Sequence, residues 1–171
     1  MQYDVDFLII GSGIGGLTLA LKVAGAGRVA VVTKKEAVET NTNYAQGGIA
    51  SVLSRYDSFD LHVKDTLASG DGLCRQDVVE MVVRDAPARI QELMDWGVDF
   101  TRRERGRTEL DLVLEGGHSQ KRIVHAGDFT GQVIEQALLD RARRNSNVVF
   151  FENHIAVDLI SYSMRMKRGV I

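Results

Sequence analysis

Val5-Asp6-Phe7-Leu8-Ile9-Ile10-Gly11-Ser12-Gly13-Ile14-Gly15-Gly16 is the stretch that decides how this chain folds. Val5 to Ile10 is a short apolar run of the kind a buried parallel strand shows. The spacing Gly11-x-Gly13-x-x-Gly16 follows immediately, and Ile14, Leu17, Leu21 and Ala24 then recur at helical intervals until Gly25 and Gly27. Val29 to Thr33 is a second apolar run. Strand, glycine turn, helix and strand over 5–34 make a βαβ unit, so the fold class is α/β with a parallel sheet. A turn of this type lets the backbone approach a pyrophosphate, while the helix N-terminus offers N–H groups and a partial positive charge. Placed between a strand and a helix, Gly11, Ser12, Gly13, Ile14, Gly15 and Gly16 read as a dinucleotide-binding turn. The plainer reading is a glycine turn that serves packing alone.

Which dinucleotide is less direct. A ribose hydroxyl normally meets an Asp or Glu near the end of the second strand. Here that strand ends Val32-Thr33-Lys34-Lys35, and the first acid is Glu36. The usual acceptor is absent or displaced, Lys34 is placed to approach the adenosine side, and an NADP site stays open.

Composition narrows the class. The chain has 171 residues, 44% apolar and 26% charged, which is ordinary for one globular domain or a domain with part of another. Lys and Arg total 21 against 23 Asp and Glu, so no strongly basic balance points to nucleic acid. The lone Cys74 excludes an internal disulfide and any site built on several thiolates. No run approaches the roughly 18 apolar residues of a membrane span. The opening Tyr3-Asp4-Val5-Asp6 carries acids where a signal peptide carries cations, and the expected location is cytoplasmic.

Further along, 41–50 reads as an ordered polar loop. Phe59–Ser69 reads as a helix ended by Gly70. Asp77 is expected to cap a helix over Val78–Arg84, Pro87 to break it, and Asp85 to cap a second helix through Met94, with Gly97 at its C-terminal cap. Thr101 to Arg107 is a basic stretch, read as a solvated turn. Gly131–Arg144 is expected to be an amphipathic helix with Val133, Ile134, Ala137 and Leu138 inward. Val148–Phe151 is a third buried strand, and Ala156–Tyr162 with Gly169–Ile171 is read as a hairpin left unfinished. His62 and His154 are read as surface or satisfied residues, Cys74 as a small buried hydrophobe, and Met81 and Met94 as core. His118 and His125 lack a third partner at metal-site spacing, so no metal is expected. His125, Asp128 and Thr130 are expected to organise the loop before the last helix and cap it.

Two stretches carry a resemblance. Asn41-Thr42-Asn43-Tyr44-Ala45-Gln46-Gly47-Gly48-Ile49-Ala50 resembles the flavin-contacting loop of the succinate dehydrogenase/fumarate reductase flavoprotein family. Dehydrogenase members have a histidine before the threonine, where FAD is covalently attached. Asn41 stands there instead, so the resemblance implies non-covalent FAD. Leu114-Glu115-Gly116-Gly117-His118-Ser119-Gln120-Lys121-Arg122-Ile123-Val124-His125-Ala126-Gly127-Asp128-Phe129-Thr130-Gly131 is similar to a stretch of the L-aspartate oxidases, a branch of the same family. Asp65-Thr66-Leu67, the Gly70…Gly72-Leu73-Cys74 loop and Trp96-Gly97-Val98 extend the likeness along the chain.

The resemblance implies a Rossmann-like FAD-binding domain of the glutathione-reductase type, truncated before its C-terminal half. By the same resemblance, capping and C-terminal helical domains are expected outside these 171 residues. It implies oxidation of L-aspartate to iminoaspartate, with oxygen or fumarate as electron acceptor, as the first step of quinolinate and NAD biosynthesis, and a quinolinate synthase downstream. By the same resemblance Gly11–Gly16 hold the pyrophosphate, Lys34 the adenosine side, and Asn41, Thr42, Asn43, Tyr44, Ala45, Gln46, Gly47 and Gly48 the flavin end. Glu115 orients the substrate amino group, whereas read locally it is a surface glutamate on a glycine turn. A buried ammonium group needs an anionic partner, which suits that role. The chain by itself is expected to bind FAD poorly and not to turn over. A soluble fumarate reductase, an NAD(P)-binding domain and a non-catalytic nucleotide-binding module are the alternatives.

Overall fold

A computed structural model describes residues 2–104 and 108–160. The chain divides into two compact units, Met1–Thr40 with Arg141–Ile171, and Asn41–Asp140.

The first unit is built on β1 (Phe7–Ile10), α1 (Ile14–Val23), β2 (Val29–Val32) and a late strand, Val148–Phe151, with both β1 and the late strand parallel to β2. Phe7 pairs with Val29, and Val29 with Val148, so β2 is the centre of the sheet. Ile9, Ala20, Ala24, Val29 and Val31 form its buried core, with Phe7, Val23, Val148 and Phe150 packed against them. The small side chains of Ala20 and Ala24 let α1 lie close to the strands. The return to β2 is fixed by Asp6, whose Oδ2 accepts from the Arg28 N–H at 2.6 Å. A Cβ on Gly27 would stand 2.6 Å from that carboxylate, so only glycine fits there. The β1 side chains of Leu8 and Ile10 are exposed.

The second unit holds α2 (Asn41–Tyr44), β3 (Ile49–Ala50), α3 (Phe59–Ser69), α4 (Gln76–Asp95), β4 (Leu112–Val113), β5 (Ile123–Val124) and most of α5 (Thr130–Arg143); the late strand of the first unit is then β6. Its small antiparallel sheet runs β3-β5-β4. Ser58 caps α3, its side chain accepting from the Leu61 N–H at 3.2 Å. α3 packs against α4.

Several expectations are corrected. The stretch 41–50 is not all loop, because it opens with one helical turn and closes as β3. α4 runs unbroken through Pro87. Pro87 removes the hydrogen bond to the Val83 carbonyl, a cost of about 3 kcal/mol. The apolar stripe of Val83, Ile90 and Leu93, buried on both sides of the proline, outweighs it. Asp77 lies inside the first turn and pairs with Arg75, which is the N-cap residue, while Asp85 pairs with Arg89 at 3.1 Å. Gly97 ends the helix as expected. At φ +104° it donates to Met94 O while Val98 N donates to Leu93 O, the two bonds of a Schellman motif.

α5 begins at Thr130, and the Thr130 hydroxyl oxygen accepts from the Ala126 N–H at 3.0 Å, holding the preceding loop. Ile134 and Leu138 are buried as expected, while Val133 and Ala137 are half-buried. Residues 156–160 form no strand, and the rest of the expected hairpin, like Arg105 and Arg107 of the basic stretch, lies outside the described residues. Met81 is 63% exposed and so is not core, because it lies on the opposite side of α4 from the buried Val83 and Ile90. Cys74 is half-buried, with Sγ 3.8 Å from Thr66 O. His62 is neither on the surface nor fully satisfied: it is buried, and its Nδ1 has no hydrogen-bond partner among the described residues.

Candidate functional site

In the first unit the glycine turn has a specific shape. Gly11 lies at φ +103°, and its N–H continues the sheet by donating to Val32 O at 2.8 Å. A Cβ on Gly16 would stand 2.0 Å from Gly11 O, so this glycine is demanded by the closeness of helix and turn. A Cβ on Gly15 would meet nothing within 4 Å. Gly13 caps α1 in an extended conformation without a side-chain cap, and no acid occupies the first turn of the helix. The positive end of the helix dipole is therefore not offset by a carboxylate of its own. Ser12 is 2% exposed, and its hydroxyl donates to Ala37 O at 2.8 Å with Thr33 Oγ1 at 3.3 Å. The Ser12 side chain thus ties the turn to the end of β2, leaving its backbone for any ligand. Lys34 and Glu36 are exposed beyond that end, and the Ala37 N–H is held by Glu152 Oε1 at 2.8 Å.

In the second unit the segment 41–48 is held from below. Gly131 N donates to Ala45 O at 2.9 Å, and a Cβ on Gly131 would stand 1.9 Å from Thr42 O. A Cβ on Gly48 would be 2.4 Å from both Ile123 Cγ2 and Val124 O, so Gly48 is fixed by the approach of β3 to β5. Gly47 has nothing within 4 Å of such a Cβ, and Tyr44, Ala45 and Gln46 beside it are exposed. Of the paired glycines, one serves packing and the other leaves an open surface.

Glu115 is exposed at the start of a tight turn in which His118 N donates to Glu115 O at 3.3 Å and Gly117 takes φ +81°. The end of that turn is anchored to a buried ion cluster. Arg122, wholly buried, makes a two-bonded fork to Asp57, Nε to Oδ2 and Nη2 to Oδ1, both at 2.8 Å. Its Nη1 donates to Asp65 Oδ2 at 2.7 Å and lies 3.2 Å from His118 Nδ1. Asp65 Oδ2 also accepts from Ser119 N at 2.9 Å and Ser119 Oγ at 2.7 Å.

Burial disfavours the Asp65 carboxylate, but the Ser119 and Arg122 donors outweigh it and hold its pKa at about 2. For His62, burial and then the Arg122 and His118 charges push the pKa below the usual imidazole value, against the pull of Asp57 and Asp65. His125 points elsewhere, with Nε2 3.5 Å from Asp111 Oδ2. The sequence reading missed Arg122 and Asp57, whose partners lie 65 residues apart in the chain. Its one available signal was a charge directly ahead of the buried pair Ile123-Val124.

A strand followed by a glycine turn shaped in this way, with an uncapped helix start, is the arrangement that receives a dinucleotide pyrophosphate. Residues 6–171 match the family model described as FAD binding domain. The chain belongs to the FAD-binding domain family. Its cofactor is FAD, and in the first unit the open Gly15 position and the uncapped α1 start fit the pyrophosphate of that group.

The chain is 49% identical over 156 residues to L-aspartate oxidase 2-b, chloroplastic, of Nicotiana tabacum, covering 91% of this chain and 24% of that protein. It is 46% identical over 165 residues to the L-aspartate oxidase of Pseudomonas aeruginosa, covering 94% of this chain and 31% of that one. Among solved structures it is similar to a variant of FrdA from E. coli quinol fumarate reductase, with a TM-score of 0.85, 33% identity, and coverage of 92% of this chain and 27% of that chain. The chain thus spans about a quarter to a third of the length of the curated relatives it matches. Among the described residues, no helix is long and apolar enough to cross a membrane.

Proposed function

We propose that the full-length protein to which this chain belongs oxidises L-aspartate to iminoaspartate, with FAD held non-covalently. The observation that carries this is Glu115, an exposed carboxylate at the start of a turn whose far end is tied to buried ions. Aspartate differs from succinate by one ammonium group, and a carboxylate beside that group offsets its desolvation. A site for a dicarboxylate without an amine gains only repulsion from such a residue. Similarity to proteins named L-aspartate oxidase supports the reading.

The chain's own residues have distinct tasks in this proposal. The backbone of Gly11–Gly16 and the N-terminus of α1 receive the pyrophosphate, with the Ser12 hydroxyl holding the turn from behind. Lys34 serves the adenosine side. Residues 41–48, open at Gly47, offer their backbone to the ring system, and Asn41 provides no imidazole for covalent attachment. Glu115 binds and orients the ammonium group so that the α-carbon hydrogen is presented for removal. Bound FAD supplies the two-electron acceptor. The substrate loses a hydride equivalent from the α-carbon and, to solvent, two protons from its ammonium nitrogen, which leaves the neutral imine. Oxygen or fumarate then takes the electrons, and the iminoaspartate product feeds quinolinate and NAD biosynthesis through a quinolinate synthase. A cytoplasmic location belongs to the same proposal; the plant relatives are named as chloroplastic, and cell fractionation decides between the two.

A second reading, a soluble fumarate reductase, is favoured by the similarity to FrdA. One comparison separates the two. In the full-length protein, Glu115→Gln is expected to raise KM for L-aspartate at least tenfold while leaving the inhibition constant of succinate unchanged or lower. Equal effects on both ligands would contradict amine recognition by Glu115.

A further inference from the structure

His62, Asp65 and Ser69 sit three and four residues apart on α3, so they share one face of the helix. That face meets the turn that carries Glu115. Ser69 Oγ donates to Gly117 O at 3.3 Å, Asp65 Oδ2 takes both the N–H and the hydroxyl of Ser119, and the His62 ring stands edge-on to the His118 ring at 5.5 Å. Arg122 ties the assembly together from the β5 side through Asp65 and His118. A guanidinium only donates, so His118 Nδ1 is the acceptor in this contact.

The contacts of Ser69 with Gly117, Asp65 with Ser119, and His62 and Arg122 with His118 all end on residues 117–119. The Glu115 side chain is exposed, and Gly116 alone separates Glu115 from the anchored Gly117. Two glycines in sequence give the backbone wide freedom, and a carboxylate left on such a segment would have to be ordered when substrate binds. The bonds to Gly117 and Ser119 remove that freedom during folding instead.

We infer that Asp65 and Ser119 are positioning residues for substrate selectivity: the His62–Asp65–Ser69 face of α3, cross-tied by Arg122, fixes the turn at Glu115–His118 and so the place from which the Glu115 carboxylate meets an ammonium group. The inference rests on the proposed amine recognition. It gives Asp65 and Ser119 a role that acts through Glu115, and it predicts a selectivity defect where general damage to the fold would weaken every ligand alike.

The test uses the full-length FAD-loaded protein and two readouts, KM for L-aspartate and the inhibition constant of succinate, which has both carboxylates and no amine. Asp65→Asn and Ser119→Ala are each expected to raise KM for aspartate about five- to tenfold, the scale of a lost hydrogen bond, with succinate inhibition moved less than twofold. Ser119 is exposed, so its variant tests the link without opening the buried cluster. In a Glu115→Gln background, Ser119→Ala is expected to add less than twofold, because the group it positions is gone. If Glu115→Gln is selective for aspartate while both other variants leave the two constants unchanged or move them together, the positioning role is overturned and amine recognition stands. Effects that multiply in the double variant overturn it as well. If Glu115→Gln is itself without effect on KM, amine recognition fails and takes the inference with it, a pattern distinct from the others.

Discussion

Gly16 and Gly11 approach so closely that a Cβ on Gly16 would lie 2.0 Å from the Gly11 carbonyl oxygen. The obstacle is backbone, which cannot turn aside as a side chain can. Gly16→Ala is therefore expected to shift α1 off the turn, destabilise the first unit by about 1–3 kcal/mol, and weaken FAD binding. Gly15→Ala meets open space and is expected to leave the denaturation midpoint unchanged or slightly higher. FAD titration and chemical denaturation of the two variants check this. Equal loss of stability in both would contradict it.

Arg122 is wholly buried against Asp57, whose side chain is 1% exposed. Arg122→Met removes one partner and leaves the Asp57 charge uncompensated in the interior, at an expected cost of about 3–5 kcal/mol. The pair Arg75–Asp77 lies in water with side chains 76% and 68% exposed, and Arg75→Ala should cost less than about 1 kcal/mol. Urea denaturation of both variants supplies the comparison.

Acid should weaken the second unit in two steps. His62 has its pKa depressed in the folded state, so the unfolded chain takes up the proton first. Its contribution is whole above about 6.5 and falls as pH drops below that value. Asp65, depressed from 3.8 to about 2, contributes fully above 3.8 and loses its contribution as pH falls through about 2. Stability measured against pH should flatten in the upper step for His62→Gln and in the lower step for Asp65→Asn. An unchanged upper step in His62→Gln would show that another group titrates there.

Pro87 interrupts the hydrogen-bond ladder of α4 without ending the helix. Pro87→Ala restores a donor to Val83 O and is expected to raise stability by up to about 3 kcal/mol. Gly97→Ala, at φ +104°, is expected to lower it by about 1–2 kcal/mol. Thermal melts of the two variants should move in opposite directions.

The parts of this fold legible in the sequence are those whose cause is local. The βαβ unit announces itself because strand, turn and helix are contiguous and their periodicities change at Gly11 and Gly25. Gly97 is legible for the same reason, since a helix end needs a residue that tolerates positive φ. Pro87 misleads because propensity speaks for a break, while the packing of Val83 and Ile90 across it is decided by the tertiary structure. Met81 misleads likewise, since helical spacing alone does not say which side of α4 meets α3. The cluster of Asp57, Asp65, His118 and Arg122 was invisible because its members come from three separated stretches, and each charge taken singly reads as solvated. Ser12 shows an intermediate case, in which the motif locates the residue but only the structure shows its hydroxyl turned back to Ala37.

The most direct test of the account is the visible spectrum of the FAD-loaded full-length protein, kept free of oxygen, before and after addition of L-aspartate. The flavin absorbance is expected to bleach with L-aspartate and not with succinate, and acid precipitation is then expected to leave the flavin in the supernatant. An unbleached spectrum at saturating L-aspartate in a folded, FAD-loaded protein would contradict aspartate oxidation, and flavin retained in the acid pellet would contradict the reading of Asn41.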